Sequence, residues 1–179
     1  MNTIECIKTR RSIRKFLPDP IPQKTIEMLI GVAAWAPSWK NTQTTRYIAL
    51  TGNEKNAIAE IALGGNNRSI TENAPLLIAL CSEKHISGCN PDGSYRDRFG
   101  THWESFDSGI ACQTLCLAAH DLGIGTVIMG IYDPQKAHEY LKLPESIQVS
   151  ALIAAGIPAE NPDPRPRKDV SELLTFFHE

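Results

Sequence analysis

The sequence feature that most constrains the fold is an uninterrupted apolar run from Pro75 to Cys81. A strand with one wet face alternates apolar and polar residues, whereas an uninterrupted run indicates a strand that is covered on both faces. A second pattern, His102–Leu122, has helical spacing, and its middle, Gly109–Ala119, is small or apolar almost all round, which predicts a buried helix. The chain must therefore place layers on both sides of a sheet.

Helical and strand patterns alternate along the rest of the chain. Strands are predicted where β-branched and apolar residues cluster, and helices where apolar residues recur every three or four positions. The predicted strands are Arg46–Thr51, Pro75–Cys81, Ile124–Met129 and Val149–Ala155, the predicted helices include Asn53–Leu63 and Pro134–Leu141, and a long loop is predicted at Glu83–Gly100. This order predicts an α+β fold with one sheet of four to five strands.

Length and composition narrow the class of protein. A chain of 179 residues suits one domain and hardly two. No apolar run approaches the ~18 residues of a membrane span, and the first residues lack the basic and then apolar pattern of a signal peptide. The net charge of −2 argues against an electropositive nucleic-acid binder. Five cysteines at irregular spacing argue against a disulfide scaffold and predict a reducing, cytoplasmic setting.

Two basic clusters lie near opposite ends of this slightly acidic chain. The planar fork of arginine suits a bidentate grip on phosphate, so an anion bound by both clusters would explain them. The alternatives are a solvated helix end for the first cluster and surface salt bridges for the second. The clusters are Arg10-Arg11-Ser12-Ile13-Arg14-Lys15 and Arg165-Pro166-Arg167-Lys168.

A polar segment from Ala36 to Gln43 follows a helical pattern of apolar residues between Ile26 and Ala34. Its hydroxyl and amide side chains can hydrogen-bond the rim of a heteroaromatic ring without imposing charge. A well-capped loop is the alternative interpretation of the same residues.

The segment from Gly123 to Gly130 contains Gly-x-Gly, a pattern that invites a dinucleotide-binding interpretation. The order of elements excludes it, because a Rossmann fingerprint follows a strand and opens a helix, whereas this segment follows a helix and opens a strand. Gly130 lies directly after the predicted strand, where a backbone without a side chain lets a flat cofactor approach closely.

Cysteine and histidine residues give no predicted metal site. Cys112, Cys116 and His120 share one face of the long helix, but their spacing matches no common zinc pattern. Free cysteines in apolar surroundings are usually small core residues. The other histidines show no spacing typical of a catalytic triad.

Taken together, these segments resemble the nitroreductase family of flavin-dependent oxidoreductases over nearly the whole chain. Each motif is weak alone, whereas six in the family's order are specific. The motifs that carry the resemblance are Thr9–Phe16, Ala36-Pro37-Ser38 with Asn41 and Gln43, Asn73-Ala74-Pro75, Asp107 through Thr126, Leu141-x-Leu143-Pro144, and Ala155-Gly156-Ile157-Pro158. After Gln43 the chain departs from the family, since Thr44-Thr45 stand where a proline and an aromatic residue are usual.

The resemblance implies a central, mostly antiparallel sheet flanked by helices, and FMN bound at the interface of an intertwined homodimer. It implies a single domain over residues 1–179, with 157–179 as a basic segment and an arm that wraps the partner. The implied FMN contacts are Arg10, Arg11, Ser12, Arg14, Arg165 and Arg167 around the phosphate and ring, Pro37, Ser38, Asn41 and Gln43 lent by the partner subunit, Asn67 at the flavin edge, and Ile128, Met129 and Gly130 beside the reactive nitrogen.

The resemblance also implies an activity. Hydride would pass from NAD(P)H through the flavin to a small oxidised acceptor, such as a nitroaromatic or a quinone, by a ping-pong scheme. No catalytic side chain is predicted, because the cofactor carries the hydride chemistry. The alternatives are a flavin-binding sensor or carrier without turnover, a member with divergent chemistry such as reductive dehalogenation or flavin breakdown, and a nucleic-acid-binding domain that uses Arg10–Lys15.

Overall fold

The computed structural model describes residues 1–178 and contains one four-stranded sheet. All three strand pairs are antiparallel, and the strand order is β1-β2-β4-β3. The strands are β1 (Thr45–Leu50), β2 (Leu76–Glu83), β3 (Gly125–Met129) and β4 (Ile147–Gly156). The predicted α+β class and the predicted sheet of four to five strands are confirmed.

Helices flank this sheet and connect its strands. Within residues 1–178 no helix is long and apolar enough to cross a membrane. The helices are α1 (Thr3–Thr9), α2 (Gln23–Ala33), α3 (Gly52–Ala62), α4 (Gly65–Asn73), α5 (His102–Asp121), α6 (Pro134–Tyr140) and α7 (Val170–Leu173), and a short 3₁₀ turn covers Trp39–Asn41.

Strand β2 is covered on both faces, as its apolar run predicts. Leu77, Ala79 and Cys81 pack into a core cluster that includes α3 and α4, whereas Leu76, Ile78 and Leu80 pack into a second cluster with α2 and α5. Successive side chains of a strand point to opposite faces, so one uninterrupted run supplies both cores. The sheet is therefore the middle layer of three.

The structure corrects two expectations about helices. Helix α4 was not predicted, because its sequence, GNNRSITEN, is rich in residues with poor helix propensity. Helix α5 was expected to be buried all round, but one of its faces is open to solvent in the single chain. Gly109 and Gln113 are exposed there, and so is just over half of the Phe106 side chain. The small residues of α5 thus serve a core on one face only.

Lys55 of α3 stabilises the unpredicted helix α4. Its Nζ donates hydrogen bonds to the carbonyl oxygens of Thr71 and Glu72 at 2.6 and 2.8 Å, and to Oδ1 of Asn56 at 2.8 Å. The residue is almost completely buried, and this burial lowers the pKa of the ammonium. Because the last carbonyl groups of a helix have no intrahelical partner, a buried ammonium beside them replaces water.

We predict that Lys55→Met lowers the free energy of unfolding by about 2–4 kcal/mol, because it leaves the buried Thr71 carbonyl group and the partly buried Glu72 carbonyl group without this donor. Urea unfolding followed by circular dichroism measures this difference. Lys136→Met is the matched control, since Lys136 is exposed and lies 3.7 Å from Asp133 in a surface ion pair. Equal stability of the two variants would contradict the role given to Lys55.

Candidate functional site

The two basic clusters of the sequence line one cavity of about 480 Å³, which we call the arginine cavity. Residues that lie about 150 positions apart in the chain thus line the same cavity. The lining residues are Arg10, Arg11, Ser12 and Arg14 from the first cluster, and Pro162, Asp163, Pro164, Arg165, Pro166 and Arg167 from the segment that contains the second. The predicted convergence of the arginines on one site is what the geometry shows.

Backbone pairing on both sides of residues 12–17 holds the first cluster in place. On one side Ser12 bridges Thr126, and the Ile13 amide donates to the Thr126 carbonyl oxygen at 3.0 Å. On the other side the segment pairs with the chain beyond β4, where the Leu17 amide donates to the Ile157 carbonyl oxygen at 2.9 Å. We call this double pairing the seam. It places the first cluster beside the chain that leads from β4 to the second cluster.

Glu160 completes the seam from the second side. Its Oε1 accepts the backbone amide of Arg14 at 2.6 Å and that of Lys15 at 3.2 Å. The carboxylate therefore holds the backbone of the basic segment, while the guanidinium of Arg14 turns back to the Ser12 carbonyl oxygen at 3.2 Å.

The cavity concentrates positive charge. In the part of the chain that the structure describes, none of its arginines forms an ion pair with a carboxylate. Arg11 donates to the carbonyl oxygens of Lys8 and Arg10 at 2.7 and 2.9 Å, which satisfies donors without neutralising the charge. Burial, and after it the charges of Arg10 and Arg11, lower the pKa of nearby His120. Such a cavity favours an anion with several oxygen atoms.

The second predicted group forms a tight turn between α2 and β1. Lys40, Asn41 and Gln43 all have positive φ, of 46°, 59° and 51°, a region that residues other than glycine seldom occupy. The Ser38 Oγ accepts the Gln43 amide at 2.9 Å and closes the turn. We call residues 37–43 the polar turn.

The polar turn borders a cavity of about 360 Å³ between α2, β1 and α5. Pro37, Ser38 and Gln43 line this cavity, whereas Asn41 does not. The Tyr47 hydroxyl is buried without a hydrogen-bond partner among the described residues, and burial raises the pKa of Tyr47 to about 12.

The third predicted group lies where β3 ends. The Asn67 side-chain amide donates to the Ile131 carbonyl oxygen at 3.1 Å, and so α4 is fixed beside the residues that follow β3. Ile128 is about half exposed, Met129 is buried, and Gly130 is exposed. A flat group can therefore approach the backbone at Gly130 next to the amide of Asn67.

Strand β3 joins the third group to the arginine cavity. The seam meets β3 at Thr126, and Gly130 follows the far end of the strand, about 13 Å away at ~3.3 Å per residue. In the single chain, the arginine cavity is separate from the cavity that the polar turn borders.

Sequence reasoning did not predict the structural role of three residues that organise these groups. The carboxylates of Glu160 and Asp107 accept hydrogen bonds from the backbone amides of Arg14 and Trp39, which lie far away in the chain. A single sequence carries no signal for such pairs. Gly125 belongs to the rejected Gly-x-Gly pattern and has a packing role instead. A Cβ on it would lie 2.7 Å from Cγ1 of Ile13, in the middle of the seam.

The candidate metal face identified in the sequence contains two core residues. Cys112 and Cys116 are buried, and His120 Nε2 lies 2.9 Å from the Thr9 hydroxyl. Among residues 1–178, no group of three or more histidine, cysteine, aspartate or glutamate side chains is arranged to hold a metal ion.

Comparison with known proteins identifies the family. The profile of the Nitroreductase family matches residues 7–157. An NADPH-flavin oxidoreductase of Vibrio harveyi is 33% identical over 169 residues, which are 93% of this chain and 70% of that protein. The chain therefore belongs to the nitroreductase family.

Solved structures agree with this assignment. A nitroreductase family protein of Streptococcus pneumoniae shares the fold with a TM-score of 0.88 at 21% identity, covering 98% of this chain and all of that one. A nitroreductase of Desulfovibrio desulfuricans, solved in complex with FMN, has a TM-score of 0.80 at 25% identity and covers 99% of this chain and 98% of its own.

We predict that Gly125→Ala destabilises the protein by about 1–3 kcal/mol, because the added methyl group overpacks the seam. It should also weaken binding of FMN, the cofactor that the family resemblance implies, because Ser12 and Arg14 flank the displaced Ile13. Thermal unfolding and titration of flavin fluorescence measure the two effects.

Gly31→Ala is the matched control for this substitution. A Cβ at Gly31 meets nothing within 4 Å, and the residue lies inside α2, where alanine stabilises a helix by about 0.5–1 kcal/mol relative to glycine. A Gly125→Ala protein with unchanged stability and unchanged affinity would show that the close packing does not position the seam.

Proposed function

We propose that this chain is an FMN-dependent oxidoreductase that takes hydride from NAD(P)H and passes it to a small oxidised acceptor, such as a nitroaromatic or a quinone. The observation that carries the proposal is the joining of Arg10, Arg14, Arg165 and Arg167 around one cavity. Membership of the nitroreductase family supports it, and so do the flavin and FMN chemistry of the two relatives named above.

The arginine cavity is the proposed site of the FMN phosphate. A phosphate has two negative charges to share among the guanidinium groups, and each charge-assisted hydrogen bond contributes ~1.5–3 kcal/mol. Ser12 adds a hydroxyl donor between the arginines, and the seam fixes the backbone of Ser12 and Arg14 before the ligand arrives. Less binding energy is then lost in ordering this part of the site.

The isoalloxazine ring is proposed to lie along β3 toward Gly130. Thr126 at the seam and Gly130 beyond the strand are about 13 Å apart, which separates the phosphate end of the site from the ring end. Asn67 is proposed to hydrogen-bond the edge of the ring, and Ile128 and Met129 are proposed to present backbone beside it. When bound, FMN supplies the hydride chemistry.

A homodimer completes this proposal. The polar turn is the set of residues that one subunit is proposed to lend to the flavin of the other. Two open surfaces support dimerisation, namely the exposed face of α5 and the described part of the C-terminal arm, residues 157–178. In the arm, 71% of Phe176 and all of Phe177 are exposed, more apolar surface than a short segment usually leaves in water. The chain is proposed to form one domain, with this arm wrapping the partner, in the cytoplasm.

The experiment that tests the activity is the addition of NADPH or NADH to the FMN-loaded protein in the absence of oxygen. Bleaching of the flavin absorbance within seconds, followed by its return when a nitroaromatic or a quinone is added, is the expected result of a ping-pong enzyme. Flavin that stays oxidised with both donors would favour the sensor or carrier alternative.

We predict that Arg10→Ala and Arg167→Ala each raise the dissociation constant of FMN by about tenfold or more, since each removes a charge-assisted contact worth ~1.5–3 kcal/mol. Arg98→Ala is the control, because Arg98 is exposed in the loop before α5 and does not line the cavity. Fluorescence titration of the apoprotein gives the constants. Full loading of both cavity variants at wild-type affinity would refute the phosphate site.

We predict that removal of residues 170–179 shifts the protein from dimer to monomer in size-exclusion chromatography and lowers its FMN content. The physical reason is loss of the apolar surface of Val170, Leu173, Leu174, Phe176 and Phe177 from the interface. Lys136→Gln serves as a control that keeps the arm, because Lys136 is an exposed residue of α6 outside both basic clusters. A truncated protein that remains a fully loaded dimer would show that the arm does not hold the subunits together.

A further inference from the structure

Asp107 is a buried carboxylate of α5 that holds the polar turn from beneath. Only 2% of the residue is exposed. Its Oδ1 and Oδ2 both accept the backbone amide of Trp39, at 3.0 and 3.1 Å. Trp39 begins the 3₁₀ turn, so the contact grips the polar turn directly after Ser38.

The same carboxylate has a second partner on another segment. The Ser87 hydroxyl, also fully buried, donates to Oδ2 of Asp107 at 2.5 Å. Ser87 lies in the loop between β2 and α5 that the sequence predicts at residues 83–100. One side chain therefore ties two irregular segments to a long helix, and no cation among the described residues neutralises it.

The polar turn needs such an anchor. Three of its residues other than glycine have positive φ, and each such conformation costs free energy that the surroundings must supply. Its internal hydrogen bonds are all local: the Asn41 and Thr42 amides donate to the Ser38 and Trp39 carbonyl oxygens, and the Gln43 amide donates to Ser38 Oγ, each at 2.9 Å. None of these three bonds ties the turn to the helices behind it. Without the Trp39–Asp107 contact, the side chains of Ser38, Asn41 and Gln43 would lose the fixed backbone that aims them.

We propose that Asp107 is a positioning residue of the cofactor site, which acts through the Trp39 amide to hold the polar turn against the flavin. The proposal rests on the proposed function, because the polar turn is there the part of the site that the partner subunit supplies. Asp107 itself does not touch the cofactor in this scheme. Its effect is to keep the turn in the one conformation that presents its hydroxyl and amide groups.

Helix α5 offers a matched control one turn earlier. Glu104 is as deeply buried as Asp107, with 1% exposed, and it also holds the loop before α5. Its Oε1 accepts the His85 amide at 2.6 Å, and its Oε2 accepts the Gln148 side-chain amide at 3.1 Å. Glu104 makes no hydrogen bond to the polar turn. Substituting it removes a buried carboxylate from the same helix without removing a hydrogen bond to the turn.

The test compares Asp107→Ala, Asp107→Asn and Glu104→Ala in the FMN dissociation constant and in hydrogen–deuterium exchange of residues 36–44. We expect Asp107→Ala to raise the dissociation constant at least tenfold and to speed exchange of that segment. Asp107→Asn should rescue both to within about threefold, because its Oδ1 still accepts the Trp39 amide and its amide can donate to Ser87. Glu104→Ala should leave both at wild-type values despite a comparable loss of thermal stability.

Two outcomes would overturn the proposal. Exchange of residues 36–44 that is unchanged in Asp107→Ala would show that Asp107 does not hold the turn, and this measurement requires no bound flavin. Faster exchange with wild-type FMN affinity would show that the turn is held but does not serve the cofactor. Failure of the proposed function gives a different result, since the wild-type protein itself would then take up no FMN.

Discussion

The double pairing of residues 12–17 is the constraint on which the candidate site depends. One side of this segment is bonded to the first residues of β3 and the other to the chain that leaves β4, so it lies where β3 begins and β4 ends. The pairing brings arginines from the two ends of the chain to one cavity. Gly125, which has no side chain, leaves room for the Ile13 side chain in the seam. The position of any ligand site here therefore depends first on the backbone contacts of residues 12–17.

Gathering five arginines around one cavity works against the stability of the unliganded chain. Like charges repel, and the described part of the chain provides no carboxylate in ion-pair contact with them. Glu160 does not neutralise them, because it is engaged with the backbone amides of Arg14 and Lys15. An anionic ligand that binds in this cavity therefore adds stability to the folded protein, and adds more the higher its affinity.

The sequence predicts the elements whose signal is local. The uninterrupted run in β2 shows a strand covered on both faces, and arginines at two distant places indicate a shared anion. Helix α4 escapes prediction because its stability comes from Lys55 on a neighbouring helix rather than from its own residues. Asp107 escapes for the same reason, because an aspartate in a helix looks like surface until its partners, the Trp39 amide and Ser87, are known.

Helix α5 emerges as the element that relates the parts of the molecule to one another. One of its faces packs in the core through Leu115 and Cys116, and the buried carboxylates of Glu104 and Asp107 reach from its first half to the loop and the polar turn. Its remaining face stays open in the single chain and is a surface that a second subunit would cover. In the proposed dimer, a displacement of α5 at the subunit interface would move Asp107, and with it the Trp39 amide of the polar turn. Dimer formation and the geometry of the flavin site are thus expected to be coupled through one helix.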